Sequence, residues 1–324
     1  MQTTSPDITG ILDAARLIAP HLPPTPMWSY PVLDARLGAE VHVKHENIQP
    51  TGAFKVRGGI TLLTRMSEAE RGRGVLTYST GNHAQSIAYA ARIFGAPCTV
   101  VMPENPNPAK VAAVEALGAA VELKGATVVE AGEYAAALAA DRRNRLVSPA
   151  DEPDLIEGVG TLYLEMFARR PDLDVLFVPV GAGTSAAAAC LAARALAPRC
   201  RVIAVQSARA PAAHDSWRAG EPVRRPVGTL AEGLATGSAF AVPRAIMREL
   251  LDDFMLVSDE EIAAAQRLLL TDAHTLAELA GAAALAALTK RREEFAGARI
   301  GVVCSGGNAG PAELQRLLGG GNAA

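Results

Sequence analysis

The chain has 324 residues, 49% of them hydrophobic and 20% charged. At roughly 150 residues per domain this suggests about two domains, each able to bury a core without disulfide or metal support, and it excludes intrinsic disorder and collagen-like repeats. The 31 basic and 34 acidic side chains leave a net charge of -3. No block of Lys or Arg stands out, so nucleic acid and anionic membrane are poor partners.

Near the N-terminus Ile8, Ile11, Leu12, Ala15 and Ile18 recur at helical spacing, which predicts a helix rather than a cleaved secretion signal. A proline-rich stretch over residues 20–31 then reads as an extended lead-in. From there short β-rich runs alternate with Ala/Leu-rich helical patterns, the signature of an α/β architecture. Strands are predicted at 41–44, 75–79, 98–102, 120–123, 175–180, 202–205, 254–257 and 300–304. Most are continuously apolar, as strands of a parallel sheet covered on both faces should be. Helices are predicted at 82–94, 108–117, 127–140, 185–196, 259–270 and 276–290.

Eight strands are more than one small sheet needs, so two sheets are expected, with the polar segment 148–154 as a crossing point. The uncharged run 175–193 is interrupted by Pro179, Gly181, Gly183, Thr184 and Ser185 and reads as strand, loop and helix rather than a membrane span. Cys98, Cys190, Cys200 and Cys304 show no metal-binding or disulfide spacing, which fits a reducing cytoplasm. The small, uncharged tail 319–324 is expected to fray.

Four short motifs carry chemistry. In Thr51-Gly52-Ala53-Phe54-Lys55-Val56-Arg57-Gly58-Gly59 a lysine sits among small and apolar residues; a desolvated amine has a lowered pKa and can form a Schiff base, although a surface lysine beside a turn would read the same way. Ser79-Thr80-Gly81-Asn82-His83-Ala84-Gln85 follows a strand and opens a helix. It could present N–H groups and short polar side chains to a carboxylate or phosphate, or serve only as a helix cap. Val180-Gly181-Ala182-Gly183-Thr184-Ser185 is a glycine-rich strand-to-helix turn able to cradle a phosphate dianion. It lacks the Gly-Lys-Ser/Thr ending of a Walker loop and, with Ala186 in the third glycine place, the dinucleotide fingerprint. Cys304-Ser305-Gly306-Gly307-Asn308 offers one hydroxyl beside glycines that admit a ring or backbone, or simply closes the last strand.

In this order the four motifs resemble the fold-type II pyridoxal-phosphate enzymes, closest to their serine/threonine dehydratase and serine racemase branch. The resemblance covers residues from about Asp7 to about Leu318. It implies a tryptophan synthase β-like fold of two α/β domains with the cofactor in the cleft: residues 1–67 and 149–324 as the large domain, 68–148 as the small one. By the same resemblance Lys55 is the Schiff-base lysine, with Phe54 beside it also at the cofactor. Asn82 contacts the cofactor's 3-hydroxyl, and Gly181, Ala182, Gly183, Thr184 and Ser185 form its phosphate loop. Gly233, next to Glu232, backs the ring, and Ser305 faces the pyridine nitrogen. Ser79, Thr80, Gly81, Asn82 and His83 bind the substrate carboxylate, His83 as part of the loop's hydrogen-bonding frame. Relatives are commonly homodimers.

Departures from the family pattern narrow the reading. Thr80 stands where the racemase has a serine as second base, and its β-branched side chain is less free to turn, which disfavours racemisation. Gln206 and Ala212 replace the glutamate and aspartate that hold a divalent cation in several relatives, so no metal site is expected. Ala150 replaces a frequent aromatic residue, which suggests a larger pocket beside the substrate's β-carbon. Glu157 and Val159 depart from the run that usual relatives carry. Glu278 matches a glutamate near the ring in relatives, but it equally suits a helix start. A serine hydroxyl at the ring nitrogen draws less charge into the ring than a carboxylate would, which favours β-elimination over transamination.

The expectation is a pyridoxal-phosphate ammonia-lyase acting on an L-3-hydroxy amino acid, from serine and threonine to a bulkier one such as L-threo-phenylserine, with Lys55 as base and Thr80 on the opposite face. A β-replacement synthase or a racemase of the same fold is the alternative. A non-catalytic cofactor carrier and a nicotinamide enzyme are disfavoured by the four motifs and by the failed fingerprint respectively.

Overall fold

The computed structural model describes residues 5–319. In chain order the first elements are α1 (Ile8–Ile18), β1 (Met27–Ser29), α2 (Pro31–Leu37), β2 (Glu40–His45), α3 (Val56–Arg65), α4 (Glu68–Arg73), β3 (Val75–Tyr78), α5 (Asn82–Ile93), β4 (Cys98–Met102), α6 (Pro108–Ala116), β5 (Ala120–Leu123), α7 (Val128–Arg142), β6 (Arg145–Val147) and α8 (Pro153–Arg169). They are followed by β7 (Val175–Pro179), α9 (Thr184–Leu196), β8 (Arg201–Ser207), α10 (Ala212–Ala219), α11 (Ala241–Leu250), β9 (Asp253–Val257), α12 (Asp259–Asp272), α13 (Leu279–Lys290), β10 (Arg299–Cys304) and α14 (Pro311–Gly319). The chain divides into two compact units, one built from the residues up to Pro23 together with Lys55–Thr161, the other from Pro24–Phe54 and the remainder.

The first unit holds a four-stranded parallel sheet in the order β5-β4-β3-β6. Successive side chains of a strand point to opposite faces, and the two faces bury different partners. Val75 and Val100 pack with Ile60, Leu63, Ala84 and Ile87 of α3 and α5. Leu76 and Val101 pack with Ala131, Ala135 and Ala139 of α7. All four strands lie in the segment 68–148 that the sequence set apart, but the compact unit is larger, because Ile18, Leu22, Val56 and Leu155 share its core.

Charge and close packing fasten these added helices. The Arg65 guanidinium on α3 binds Asp154 (2.6 Å) and Glu157 on α8, and Asp13 (3.1 Å) and the Gly10 carbonyl (3.0 Å) on α1. Glu157, a departure from the family pattern, is thereby a fastening residue. Where α8 crosses α3 there is no room for a side chain at Gly158: a Cβ there would lie 2.7 Å from the Arg57 carbonyl oxygen.

The second unit holds a six-stranded sheet in the order β1-β2-β10-β7-β8-β9. All its pairings are parallel except β1 with β2. On one face α13, buried from Leu279 to Leu288, lies between the sheet and α12. It is apolar all round because it has a neighbour on every side. On the other face the alanine-rich α9 packs on β7 and β8.

All eight strands predicted from sequence are present. The two not predicted, β1 and β6, are three residues each, too short to show a period. β1 is an edge strand, which tolerates the prolines around it. All four cysteines are buried free thiols, and no helix among the described residues is long and apolar enough to cross a membrane. Substituting Gly158→Ala should overpack the α3–α8 contact and cost about 1–3 kcal/mol of stability. An unchanged urea midpoint would contradict so close an approach.

Candidate active site

The glycine-rich turn after β7 is the best-defined feature of the second unit. Gly183 caps α9 in the left-handed region (φ +94), which L side chains rarely adopt, and having no side chain it offers no cap of its own. The first N–H groups of a helix have no intrahelical acceptor. Here they open the alanine-rich α9, whose first two residues are Thr184 and Ser185. Gly181 is pressed against the backbone of Gly233, whose carbonyl oxygen a Cβ at position 181 would strike. Gly233 in turn sits in a single 3-10 turn (Glu232–Leu234) against the methyl of Ala280 on α13.

Neutral hydrogen bonds hold this turn. Thr236 Oγ1 donates to the Gly181 carbonyl (3.0 Å), and Gln206 Nε2 reaches Thr236 Oγ1 (3.5 Å) while its Oε1 accepts from the His214 N–H (3.0 Å). The Ser185 hydroxyl faces Tyr163 Oη at 2.6 Å. Sequence reasoning found neither Tyr163 nor Thr236, because neither belongs to a motif and each is brought in by tertiary packing alone.

The other two glycine turns of the unit are tied together. Ser305, buried at the end of β10, accepts the Phe54 N–H on its carbonyl (3.1 Å), and its Oγ lies 3.5 Å from the Ala280 carbonyl. Ala53 and Gly306 form an isolated bridge, Gly307 N–H donates to Gly52 (2.8 Å), and Asn308 Nδ2 donates to Thr51 (2.8 Å). Glu278 caps α13, its N–H donating to the Gly306 carbonyl (3.0 Å). Phe54, the residue covalently before Lys55, is thus pinned through its own backbone.

The first unit carries Lys55 and the Ser79–His83 segment. Lys55 precedes the first turn of α3, and its carbonyl accepts from Ser86 Oγ of α5 (2.6 Å). Desolvation lowers its amine pKa from 10.5 to about 8. In the loop after β3, Ser79 Oγ accepts the Gly81 N–H (3.2 Å); Gly81 caps α5, Asn82 opens it, and Thr80 is half-buried.

His83 is buried with Nε2 2.9 Å from Thr77 Oγ1, whose own proton goes to the Val147 carbonyl (2.8 Å). Thr77 therefore accepts and His83 donates. Burial, and then the charge of Lys55, push the imidazole pKa down to about 3, so His83 is a neutral frame and no general base. Ala150 sits in a turn where Ser148 Oγ accepts the N–H groups of Ala150 (3.4 Å) and Asp151 (3.1 Å), and its methyl is wholly buried.

The residues expected at the cofactor therefore divide between the units. Phe54, Gly181, Ala182, Gly183, Thr184, Ser185, Gly233 and Ser305 belong to the second; Lys55 and Asn82 belong to the first, as do Ser79, Thr80, Gly81, His83 and Ala150.

A sequence profile of the family described as "Pyridoxal-phosphate dependent enzyme" matches residues 18–306. Among characterised proteins, an L-threo-3-hydroxyaspartate ammonia-lyase of Saccharomyces cerevisiae is 34% identical over 97% of both chains. An L-threonine ammonia-lyase of Geobacter sulfurreducens is 42% identical over 84% of this chain and 68% of its own. Among solved structures, maize serine racemase superposes with a TM-score of 0.92 at 29% identity, covering 98% of each chain. The chain belongs to the pyridoxal-phosphate dependent enzymes, in the fold-type II branch of serine/threonine dehydratases and racemases.

The residues present suit that cofactor. The α9 terminus, with a backbone contact at Gly181 that no side chain could enter, offers N–H groups and a favourable dipole for a phosphate. A lysine amine whose pKa is lowered to about 8 keeps a far larger unprotonated fraction at neutral to mildly basic pH than an ordinary lysine, and condensation with an aldehyde needs that form. In the cofactor-free protein, reaction of Lys55 with a small amine reagent should rise with pH to a midpoint near 8. A midpoint near the ordinary 10.5, followed by peptide mapping, would show that the amine is not desolvated.

Proposed function

We propose that this protein is an ammonia-lyase that converts L-threonine or L-serine to the 2-oxo acid and ammonia by β-elimination. The observation that carries the reading is the hydroxyl of Ser305, buried just after β10 at the position that the resemblance gives to the ring-nitrogen partner. A neutral partner limits the charge that the ring withdraws, which favours prompt loss of a β-substituent over protonation elsewhere.

When bound, the cofactor supplies an electron sink for the charge released at the substrate's Cα. The phosphate would be held by the N–H groups at the start of α9 with Thr184, the ring backed by Gly233 and faced by Ser305. Asn82 would meet the ring hydroxyl, and Ser79 to His83 would receive the substrate carboxylate. Lys55 would anchor the cofactor, and its amine would be the base for the substrate's Cα proton. Thr80 on the substrate loop has a β-branched hydroxyl that is less free to turn, which supports elimination over racemisation.

The substrate's side chain is argued from charge and space. A second carboxylate, as in 3-hydroxyaspartate, would need a cation. In the unit with the substrate loop His83 is neutral, and Arg145, just before the Ala150 turn, is engaged by Glu152 at 2.6 Å. An aryl side chain would need the space suggested at Ala150, but that methyl is fully covered, so the enlarged-pocket argument for phenylserine loses its support. These two observations favour small, uncharged 3-hydroxy amino acids.

The test is release of ammonia and 2-oxo acid from L-threonine, L-serine, L-threo-3-hydroxyaspartate and L-threo-phenylserine by the cofactor-loaded enzyme. Threonine or serine should give the highest kcat/KM, and Lys55→Ala should lose at least about a thousandfold, since it removes both anchor and base. A preference for hydroxyaspartate or phenylserine would overturn the substrate assignment. Racemisation without 2-oxo acid would overturn the reaction.

A further inference from the structure

We propose that Tyr163 is a positioning residue for the anion cradle of α9: its phenol donates to Ser185 Oγ and leaves the serine's own proton for a phosphate oxygen. The inference rests on reading residues 181–185 as the cofactor's phosphate loop, and it adds to that loop a member from α8 that no motif contains.

The two oxygens are 2.6 Å apart, with Tyr163 fully buried and Ser185 2% exposed. Two hydroxyls bring two donor protons, and the contact between them uses one. Direction follows from chemistry. A phenol is a better donor than an aliphatic alcohol, and burial beside the negative charge of Glu46 pushes Tyr163 well above its usual range, so it keeps its proton. Tyr163 thus donates, and the remaining proton is the serine's.

Ser185 is the second residue of α9, at the helix end whose N–H groups and dipole favour an anion. A hydroxyl whose oxygen already accepts a hydrogen bond is a stronger donor. The rigid tyrosine also fixes the serine rotamer, which a serine at an uncapped helix start would otherwise choose among several. A space-filling role would need no hydroxyl at either position.

The holoenzyme and its Tyr163→Phe, Ser185→Ala and double variants test this through dissociation constants for pyridoxal phosphate and for unphosphorylated pyridoxal, together with the pH dependence of the bound phosphate's 31P signal. Tyr163→Phe should weaken pyridoxal phosphate about tenfold, leave pyridoxal unchanged and move the 31P titration; the double variant should be no weaker than Ser185→Ala alone. Equal losses for the two ligands, additive losses, or an unmoved 31P titration would overturn the role of Tyr163. If Tyr163→Phe does not fold, Ser185→Ala carries the test, and retention of its full preference for the phosphorylated ligand overturns the inference. If the unaltered enzyme itself binds pyridoxal as tightly as pyridoxal phosphate, the phosphate-loop reading fails and the inference goes with it.

Discussion

A parallel sheet delivers all its strand ends to one edge, and the second unit is organised by that constraint. β2, β10, β7 and β8 run side by side, with Cys304 level with His45 and Pro179 level with Val205. The turns that follow β10 and β7 must therefore open on the same edge, and so must the turn that leads from β2 to Phe54. Ligands of open α/β sheets gather at such carboxyl ends. The glycines belong here because neighbours approach closely: Gly181 meets the backbone of Gly233, Gly281 that of Gly306, and Gly52 the side chain of Asn308. The first unit obeys the same rule, since the Ser79–His83 segment leaves the carboxyl end of β3 and the Ala150 turn leaves that of β6.

How much of this could be read beforehand depends on the range of the interaction responsible. The strand-to-helix turns at Gly181 and Ser79 were legible as turns because their signal is local, a continuous apolar run ending in glycine and short polar residues. Lys55 was legible as a lysine in an apolar setting, and its lowered pKa has that cause. The edges of the compact units were not legible: Arg65 binds α1 and α8 across many intervening residues, and nothing in its neighbours along the chain announces Asp154 or Glu157. Tyr163 looks like one more bulky residue of a helix until folding places Ser185 against it. Ala150 is ambiguous in the opposite way. Its size suggested space, but a small residue can also be small because the turn around it is tight, and the Ser148 hydrogen bonds make that turn.

The kinds of bond used differ from place to place. Away from the motifs the units are fastened by charge: Arg65 with its carboxylates, Lys44 with Glu165, Arg299 with Asp172 and Asp174. Around the phosphate turn the supports are neutral, an amide, two alcohols and a phenol. His83, beside the substrate loop, is also held uncharged. Fixed charges act over several ångströms in a low-dielectric interior, whereas neutral hydrogen bonds fix geometry at short range without adding a long-range field.

That distinction bears on how a lysine proposed as both anchor and base could serve as each. Its pKa is lowered by desolvation. A carboxylate close to the amine would raise that pKa again, and a protonated histidine on the substrate loop would compete for the substrate's carboxylate while depressing it further. The neutral state of His83 is enforced partly by the lysine's own charge, so the two groups are linked: whichever is protonated disfavours protonation of the other. Burial settles the contest in favour of the lysine, because imidazole starts from the lower pKa and is the more deeply covered. On the proposed reading, the proton that would move is thereby held by one group, and the polar atoms around it would hold position.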